Sequence, residues 1–236
     1  MRNAQRVGIL AAMLFLLATS LVGASGVNSY WQRMGDGFPN VVTVHEYVYE
    51  LVTPELEISA RLPQLVGVAN EKWEAEFNQR LRDQFHMYVE EMKDMIVEFG
   101  DPGEDYHGFP YQGIVDFEVK LNQGGLLSLA IINYSFTGGA HGMTYFEYIN
   151  VDLTSGHRIA FTDLFDSEVE LERAAEIIDA KIKEEVEHFF IDSFSVTDFQ
   201  EDQGFYLQDT QAVICFGLYE LAPYAHGIQE FAIPTP

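Results

Sequence analysis

A stripe of large apolar residues, repeating every three or four positions, is the strongest constraint on how this chain can fold. Its members are Trp73, Phe77, Leu81, Phe85, Val89, Met92, Ile96 and Phe99. This spacing predicts a long amphipathic helix that stops at Gly100-Asp101-Pro102-Gly103. Such a face must be buried against another layer of structure, so we interpret the stripe as core rather than as a ligand groove.

Strand-like segments lie on both sides of this helix. Val41–Val52 is rich in β-forming residues, and Leu56–Leu62 alternates apolar and polar positions, which is typical of a half-buried strand. After the helix, Val115–Leu121 alternates in the same way, and a turn at Asn122–Gly125 leads into Leu126–Phe136. This last run is apolar on both faces, which predicts a central strand.

The second half of the chain repeats the mixture of strands and one helix. Ser167 followed by Glu170 has capping-box spacing and predicts the start of the second helix, with an apolar face reaching Phe189. The predicted strands of this half are Tyr145–Leu153, His157–Phe161, Phe205–Leu207, Ala212–Phe216 and Gln229–Ile233. The order of elements predicts an α+β fold of antiparallel sheets, with one long helix covering each half.

The first residues have the composition of an export signal. Arg2 and Arg6 precede Val7–Ala24, a continuously uncharged and mostly apolar run that ends in small residues. Two interpretations stay open, a cleaved signal peptide and a single N-terminal membrane anchor, and both place the remaining chain outside the cytoplasm. We divide the chain into a leader at 1–24, a linker at 25–40, an N-terminal subdomain at 41–140 and a C-terminal subdomain at 141–236.

The exported part of the chain is strongly acidic. The whole chain has 13 Lys and Arg against 37 Asp and Glu, and without Arg2 and Arg6 the remainder carries a formal charge of −26. Such a charge repels nucleic acid and anionic membrane surfaces and attracts cationic partners. It also keeps an exported domain soluble, which is the simpler explanation. The single cysteine, Cys215, lies in an apolar strand, which indicates a buried small hydrophobe and excludes an internal disulfide.

A glycine-rich motif, Gly138-Gly139-Ala140-His141-Gly142, opens an ordered series of blocks that carries a family resemblance. The further blocks are Val151-Asp152-Leu153-Thr154-Ser155-Gly156, Thr162-Asp163-Leu164-Phe165, Gly204-Phe205-Tyr206-Leu207 and Tyr219-Glu220-Leu221-Ala222-Pro223-Tyr224-Ala225-His226-Gly227. In this order they resemble the extracytoplasmic domain of RsiV-type anti-sigma factors. A similar region precedes the catalytic domain of PdaC-type peptidoglycan deacetylases. The resemblance covers about Val41–Ile233 and implies an envelope module that, in those anti-sigma factors, binds lysozyme.

Only part of what the resemblance implies is carried over to this chain. In the printed sequence Met1–Arg6 alone precede the apolar run, and the chain ends at Pro236. We therefore expect neither sigma-factor control nor deacetylation from these residues.

Candidate binding residues lie in the two most irregular segments. The glycines permit positive φ and close backbone approach at a bend, where His141 can either brace the backbone or line a recognition edge. Tyrosines supply amphipathic contact area at low entropic cost, although both could also pack under a loop. The candidates are Gly139, His141, Gly142, Thr144, Tyr219, Tyr224 and His226.

Catalytic and metal-binding patterns are absent from the sequence. The seven histidines form no His-x-x-x-His or His-Glu-x-x-His pair, and there is no Gly-x-Ser-x-Gly or Ser-x-x-Lys motif. Asp163 and Asp166 fit helix capping better than a glycosidase pair. We therefore expect a non-enzymatic module without metal or cofactor that recognises a cationic protein such as a c-type lysozyme. The alternatives are a module that binds cell-wall glycan (peptidoglycan) and an uncharacterised cell-wall hydrolase.

Overall fold

The structure is a computed structural model that describes residues 28–35, 37–99 and 110–234. The predicted leader at 1–24 and the predicted helix stop at 100–103 lie outside the described residues. Within these ranges no helix is both long enough and apolar enough to cross a bilayer.

Three α-helices and nine strands form the described fold. The helices are α1 (Asn28–Gly35), α2 (Glu71–Phe99) and α3 (Glu168–Glu184). The strands are β1 (Thr43–Val52), β2 (Leu56–Val66), β3 (Tyr111–Gln123), β4 (Leu126–Phe136), β5 (Met143–Asp152), β6 (His157–Arg158), β7 (Phe205–Gln208), β8 (Gln211–Phe216) and β9 (Gln229–Pro234). The predicted α+β class is confirmed.

The larger sheet has six strands in the order β1-β2-β3-β4-β5-β6. All neighbours are antiparallel except β2 and β3, which run parallel over the pairs from Leu56–Tyr111 to Ala60–Val115. The prediction of purely antiparallel sheets is therefore wrong for this sheet. The reason is that α2 lies between these two strands in the chain, and a strand–helix–strand crossover returns the second strand in the same direction as the first.

Helix α2 covers one face of the larger sheet. Its apolar stripe, including Phe77, Phe85 and Met92, is buried in one core with residues from β1 to β5. In β4, Leu127 and Leu129 point into this core and are fully buried. The periodic stripe seen in the sequence is thus the packing face of the helix.

The second sheet, β7-β8-β9, is antiparallel and lies over the opposite side of the larger sheet. Its core includes Leu207 and Ile214 together with Ile178 of α3 and both Trp31 and Met34 of α1. One long helix per half is not confirmed, because two shorter helices, of 17 and 8 residues, cover this core. The predicted linker at 25–40 is also corrected, because α1 buries Met34 completely.

The predicted division at 140/141 does not separate two structural units. It falls between β4 and β5, which pair along ten positions from Leu126–Asp152 to Ser135–Met143. Because β5 belongs to the larger sheet, the cut would break a continuous hydrogen-bonded ladder. The division into subdomains at 41–140 and 141–236 therefore does not follow the sheets.

A buried polar pair fixes the second sheet onto the first. Ser128 of β4 donates to the side-chain oxygen of Asn150 of β5 at 2.6 Å, and both residues are almost fully buried. Asn150 in turn donates to the carbonyl of Phe205 at 2.8 Å, while the Ser128 hydroxyl accepts from the Leu207 N–H at 3.0 Å. The edge of β7 that does not pair with β8 thus finds its partners on the face of the larger sheet.

Removing this pair should lower stability strongly. We expect Asn150→Ala to reduce the free energy of unfolding by about 2 kcal/mol, because it leaves the buried Phe205 carbonyl without a donor and the Ser128 hydroxyl proton without an acceptor. Urea denaturation of Asn150→Ala, Ser128→Ala and the double variant measures the effect. The double variant should lose less than the sum of the single losses. Asn133→Ala, on the half-buried part of β4, is the control, and equal losses for Asn133→Ala and Asn150→Ala would contradict the proposed role.

An ion pair attaches α1 to the larger sheet. The Arg33 guanidinium donates to both carboxylate oxygens of Asp152, at 2.7 and 3.1 Å, and also to the Gly124 carbonyl at 2.8 Å. Burial opposes ionisation of Asp152, but the hydrogen bonds from Arg33 and from the Thr154 N–H outweigh it, so the pKa of Asp152 lies below its usual value. The carboxylate is therefore the form that the fold stabilises.

This lowered pKa predicts a pH-dependent contribution to stability. The ionised Asp152 stabilises the fold above its unfolded-state pKa of about 3.9, and this stabilisation is lost as the pH falls through the lower folded-state pKa. We expect Asp152→Asn to be less stable than the wild type at pH 7, with a smaller difference at pH 3. Urea titrations at both pH values test this, with the exposed Asp192→Asn as control. A difference that does not shrink at pH 3 would show that the charge is not responsible.

Candidate functional site

The connection between β4 and β5 carries the glycine motif at one end of the larger sheet. Gly138 and Gly139 both have φ of +96°. Residues other than glycine rarely adopt this region. Gly142 is needed for a different reason, because a Cβ there would overlap the ring of Tyr134. The glycines therefore allow a tight bend and a close approach of ring to backbone.

The bend is hydrogen-bonded to the segment Tyr224–His226, which forms a short 3₁₀ turn. The Gly142 carbonyl accepts the Tyr224 hydroxyl at 3.1 Å and the Nδ1–H of His141 at 2.9 Å. The rings of His141 and Tyr224 are stacked, with centroids 4.0 Å apart and an interplanar angle of 24°. The two segments that looked irregular in the sequence are thus in direct contact.

Tyr219 extends this stack toward solvent. Its ring centroid lies 5.8 Å from that of Tyr224, and 49% of the residue is exposed. Its φ is positive, in the left-handed region that is uncommon for a residue with a side chain. Beside it, the Phe190 N–H donates to the Leu221 carbonyl at 2.8 Å, and Phe190 is 56% exposed.

His226 contacts His188 rather than completing a site with His141. The rings of His226 and His188 lie 4.6 Å apart, and Nδ1 of His188 is 3.1 Å from a carboxylate oxygen of Glu185. We call the exposed or half-buried rings around this 3₁₀ turn the aromatic patch. It consists of His141, His188, Tyr219, Tyr224 and His226, and the exposed Phe190 adjoins it through its backbone bond to Leu221.

The remaining candidates lie at the margin of the aromatic patch. Thr144 is half-buried on β5 opposite Tyr134, and Gly139 is exposed with open space where a Cβ would stand. Sequence reasoning missed His188 and Phe190, because both follow α3 at positions that continue its predicted helical pattern. The helix ends at Glu184, so these residues turn toward the Tyr219–Gly227 segment instead.

The chain segments that build the aromatic patch carry acidic residues but no Lys or Arg. Neither residues 121–157 nor residues 184–236, the two parts of the chain that build it, contain a Lys or Arg. Exposed acids lie in the same segments, among them Glu185, Glu187 and Glu220. The patch therefore has aromatic side chains at its centre and carboxylates nearby, a combination that suits a cationic partner.

The groups with strongly shifted pKa values lie in the core rather than at the patch. Burial raises the pKa of Glu147 to about 7 and that of Tyr88 to about 12. Burial likewise raises the pKa of Cys215 to about 12, as expected for the predicted buried thiol. These shifts come from packing, and none of the three residues belongs to the aromatic patch.

The described residues hold no metal-ligand cluster. Among residues 28–35, 37–99 and 110–234, no three His, Cys, Asp or Glu side chains converge to bind a metal. A small cavity lies between α1 and α3, bordered by Trp31 and Phe165, and has room for little more than a water molecule. The patch itself presents rings to solvent, as a protein-binding surface does.

Two family descriptions match this chain. The one described as Deacetylase PdaC matches residues 50–144, and the one described as Protein of unknown function (DUF3298) matches residues 162–235. The Anti-sigma-V factor RsiV of Bacillus subtilis (strain 168) is 26% identical over 191 residues, which are 75% of this chain. The chain carries an RsiV-like and PdaC-like domain. It spans 62% of the length of that relative.

A solved structure supports the fold. The crystal structure of a DUF3298 family member from Bacteroides fragilis matches with a TM-score of 0.65 at 18% identity, covering 84% of this chain and 92% of that one. A DUF3298 family protein from Pseudomonas aeruginosa PAO1 matches with a TM-score of 0.49, also at 18% identity, over 85% and 92% of the two chains.

The matched relatives bear on whether this chain is an enzyme. The relatives are an anti-sigma factor and DUF3298 proteins, and the PdaC match falls on the N-terminal region of that family. These relatives favour the prediction that this chain is not an enzyme.

Proposed function

We propose that this chain is an extracytoplasmic binding module that recognises a cationic protein through the aromatic patch, with a c-type lysozyme as the leading partner. The observation that carries the proposal is the stack of His141, Tyr224 and Tyr219, fixed by two hydrogen bonds to one carbonyl and open to solvent. Rigid aromatic anchors of this kind supply most of the energy at protein interfaces.

The charge distribution supports a cationic partner. The segments that build the patch contain no Lys or Arg, and the chain as a whole carries −24. Charge attraction acts over about a Debye length, roughly 8–10 Å at ordinary ionic strength, and mainly raises the association rate. Specificity then depends on contacts that desolvate the rings.

The comparisons support a lysozyme as the partner. The relative in Bacillus subtilis is named an anti-sigma factor, and the RsiV-type resemblance of the sequence implies an ectodomain that binds lysozyme. On this proposal the chain serves as a sensing ectodomain of the cell envelope. The PdaC match instead favours a wall glycan as ligand, which stacked aromatic rings could also hold.

The location can be tested first. Protease treatment of whole cells should degrade the chain while cytoplasmic markers survive, because residues 2–24 have the composition of an export signal. A chain that is protected until the cells are broken would contradict an extracytoplasmic location.

The partner is tested by calorimetric titration of the full chain with a c-type lysozyme. An equally basic cytochrome c is the control protein, and each titration is run at about 50 and 200 mM salt. We expect saturable binding to lysozyme that survives the higher salt. If both proteins bind equally and binding disappears at the higher salt, the interaction with lysozyme is nonspecific charge attraction. Retention on insoluble peptidoglycan at both salts, without lysozyme binding, would favour the glycan.

Variants of the aromatic patch locate the site. Tyr224→Ala should weaken lysozyme binding at least about tenfold, because it removes the ring at the centre of the stack. Phe38→Ala is the matched control, since Phe38 is 76% exposed and its carbonyl accepts a hydrogen bond at the opposite end of β4. Circular dichroism of both variants checks the fold. Equal affinity of Tyr224→Ala and wild type would place the binding surface elsewhere.

A further inference from the structure

The free edge of the larger sheet is a second surface that can take a partner. Strand β1 has ten residues and pairs with β2 in unbroken register from Thr43–Val66 to Val52–Glu57. It stands at the end of the strand order, so within the described residues no strand pairs with its other side. Val48 and Val52 on it are 57% and 76% exposed.

The backbone groups that face outward can be identified. The Thr53 N–H donates to the Leu56 carbonyl at 2.8 Å and closes the β1–β2 hairpin. Because hydrogen-bonded and non-hydrogen-bonded pairs alternate in an antiparallel ladder, the odd-numbered residues of β1 bond to β2. The backbone N–H and C=O groups of the even-numbered residues therefore point away from the sheet, and these residues are Val44, Glu46, Val48, Glu50 and Val52.

Within the described residues, this edge carries only part of the usual protection against pairing. Natural edge strands are blunted by charged side chains, proline or a β-bulge; β1 has no proline, no lysine and no bulge, and its charged side chains are Glu46 and Glu50. A long, regular and partly apolar edge whose only charged side chains are glutamates is suited to accept an added strand that carries positive charge.

The charge of β1 distinguishes two possible occupants of this edge, a second copy of the chain and a basic segment of a partner protein. Glu46, Glu50, Glu55 and Glu57 lie on β1, β2 and their turn. The only Lys or Arg of these two strands is Arg61 of β2, which contacts both Glu46 and Asp116. A second copy paired about Val48 would place Glu46 opposite Glu50, with two bodies of strong negative charge brought together. An extended segment with basic residues opposite Glu46 and Glu50 has the complementary charge.

We propose that β1 accepts an extended basic segment of a partner protein as an added, antiparallel strand. The segment would place an apolar residue opposite Val48 and basic residues two positions to either side. This surface is separate from the aromatic patch, because β2, β3 and β4 all lie between β1 and β5 in the sheet. The inference therefore does not depend on the identity of the partner at the patch.

The test uses NMR titration of the ¹⁵N-labelled full chain with the peptide acetyl-Thr-Lys-Thr-Val-Thr-Lys-Thr-amide. Its two lysines are spaced to meet Glu46 and Glu50. We expect saturable shifts centred on the amides of β1 and slower hydrogen exchange at the even-numbered amides. The same peptide with Glu in place of Lys should bind at least about fivefold more weakly, because it places like charges opposite each other.

Two variants separate the backbone and charge contributions. Val48→Pro removes one outward N–H, and an edge strand tolerates proline at such a position. We expect this variant to bind the peptide about fivefold more weakly. Val48→Thr keeps the N–H and should bind as the wild type does. Glu50→Lys changes no backbone group and should also weaken binding. Glu50 is chosen over Glu46 because a carboxylate oxygen of Glu46 already lies 3.3 Å from the Arg61 guanidinium.

Several outcomes would overturn the proposal. Shifts that fall on the aromatic patch instead of β1, or equal binding of the lysine and glutamate peptides, would do so. Unchanged affinity in both Val48→Pro and Glu50→Lys would also contradict it. Analytical ultracentrifugation tests whether a second copy of the chain pairs with β1 instead. A concentration-dependent dimer that is lost in Val48→Pro would show that it does.

Discussion

The buried hydrogen bonds of Ser128 and Asn150 hold the two sheets of this protein in one arrangement. Apolar packing alone favours burial of the second sheet but does not fix which backbone groups of β7 meet the larger sheet. The paired side chains satisfy one N–H and one carbonyl of β7 at 3.0 and 2.8 Å. Any other placement of β7 would leave buried polar groups without partners, which costs more than the bonds contribute.

The aromatic patch depends on this arrangement. One side of it, the β4–β5 connection with His141, belongs to the larger sheet, and the other side, with Tyr224, connects β8 to β9 of the second sheet. The Gly142 carbonyl joins the two sides only if the sheets are correctly placed. The Arg33–Asp152 ion pair adds α1 to the same assembly at the far end of β5. The rings are therefore preorganised by the fold, which lowers the entropy that binding must overcome.

Local patterns predicted most of the elements. The 3.6-residue stripe of α2, the double-sided apolar run of β4 and the capping role of Ser167, whose hydroxyl accepts from the Glu170 N–H, are all properties of short segments. What could not be predicted depends on distant partners. The parallel β2–β3 pair follows from where α2 packs, and α1 is helical because Trp31 and Met34 are buried by residues far along the chain. The candidate site also depends on distant partners. The Tyr224–Gly142 hydrogen bond joins residues 82 positions apart, and no local pattern predicts it. The binding role of these residues stays a prediction.

Tyr219 gives the clearest reason to regard the patch as more than packing. A tyrosine in the left-handed region of φ is strained relative to glycine or asparagine at the same position, by on the order of 1 kcal/mol or more. Packing covers only part of the residue, because 49% of it is exposed to solvent. The backbone conformation alone therefore favours glycine or asparagine there. This backbone conformation places the ring beside that of Tyr224 on an acidic surface, and under the proposed function a cationic partner would cover it.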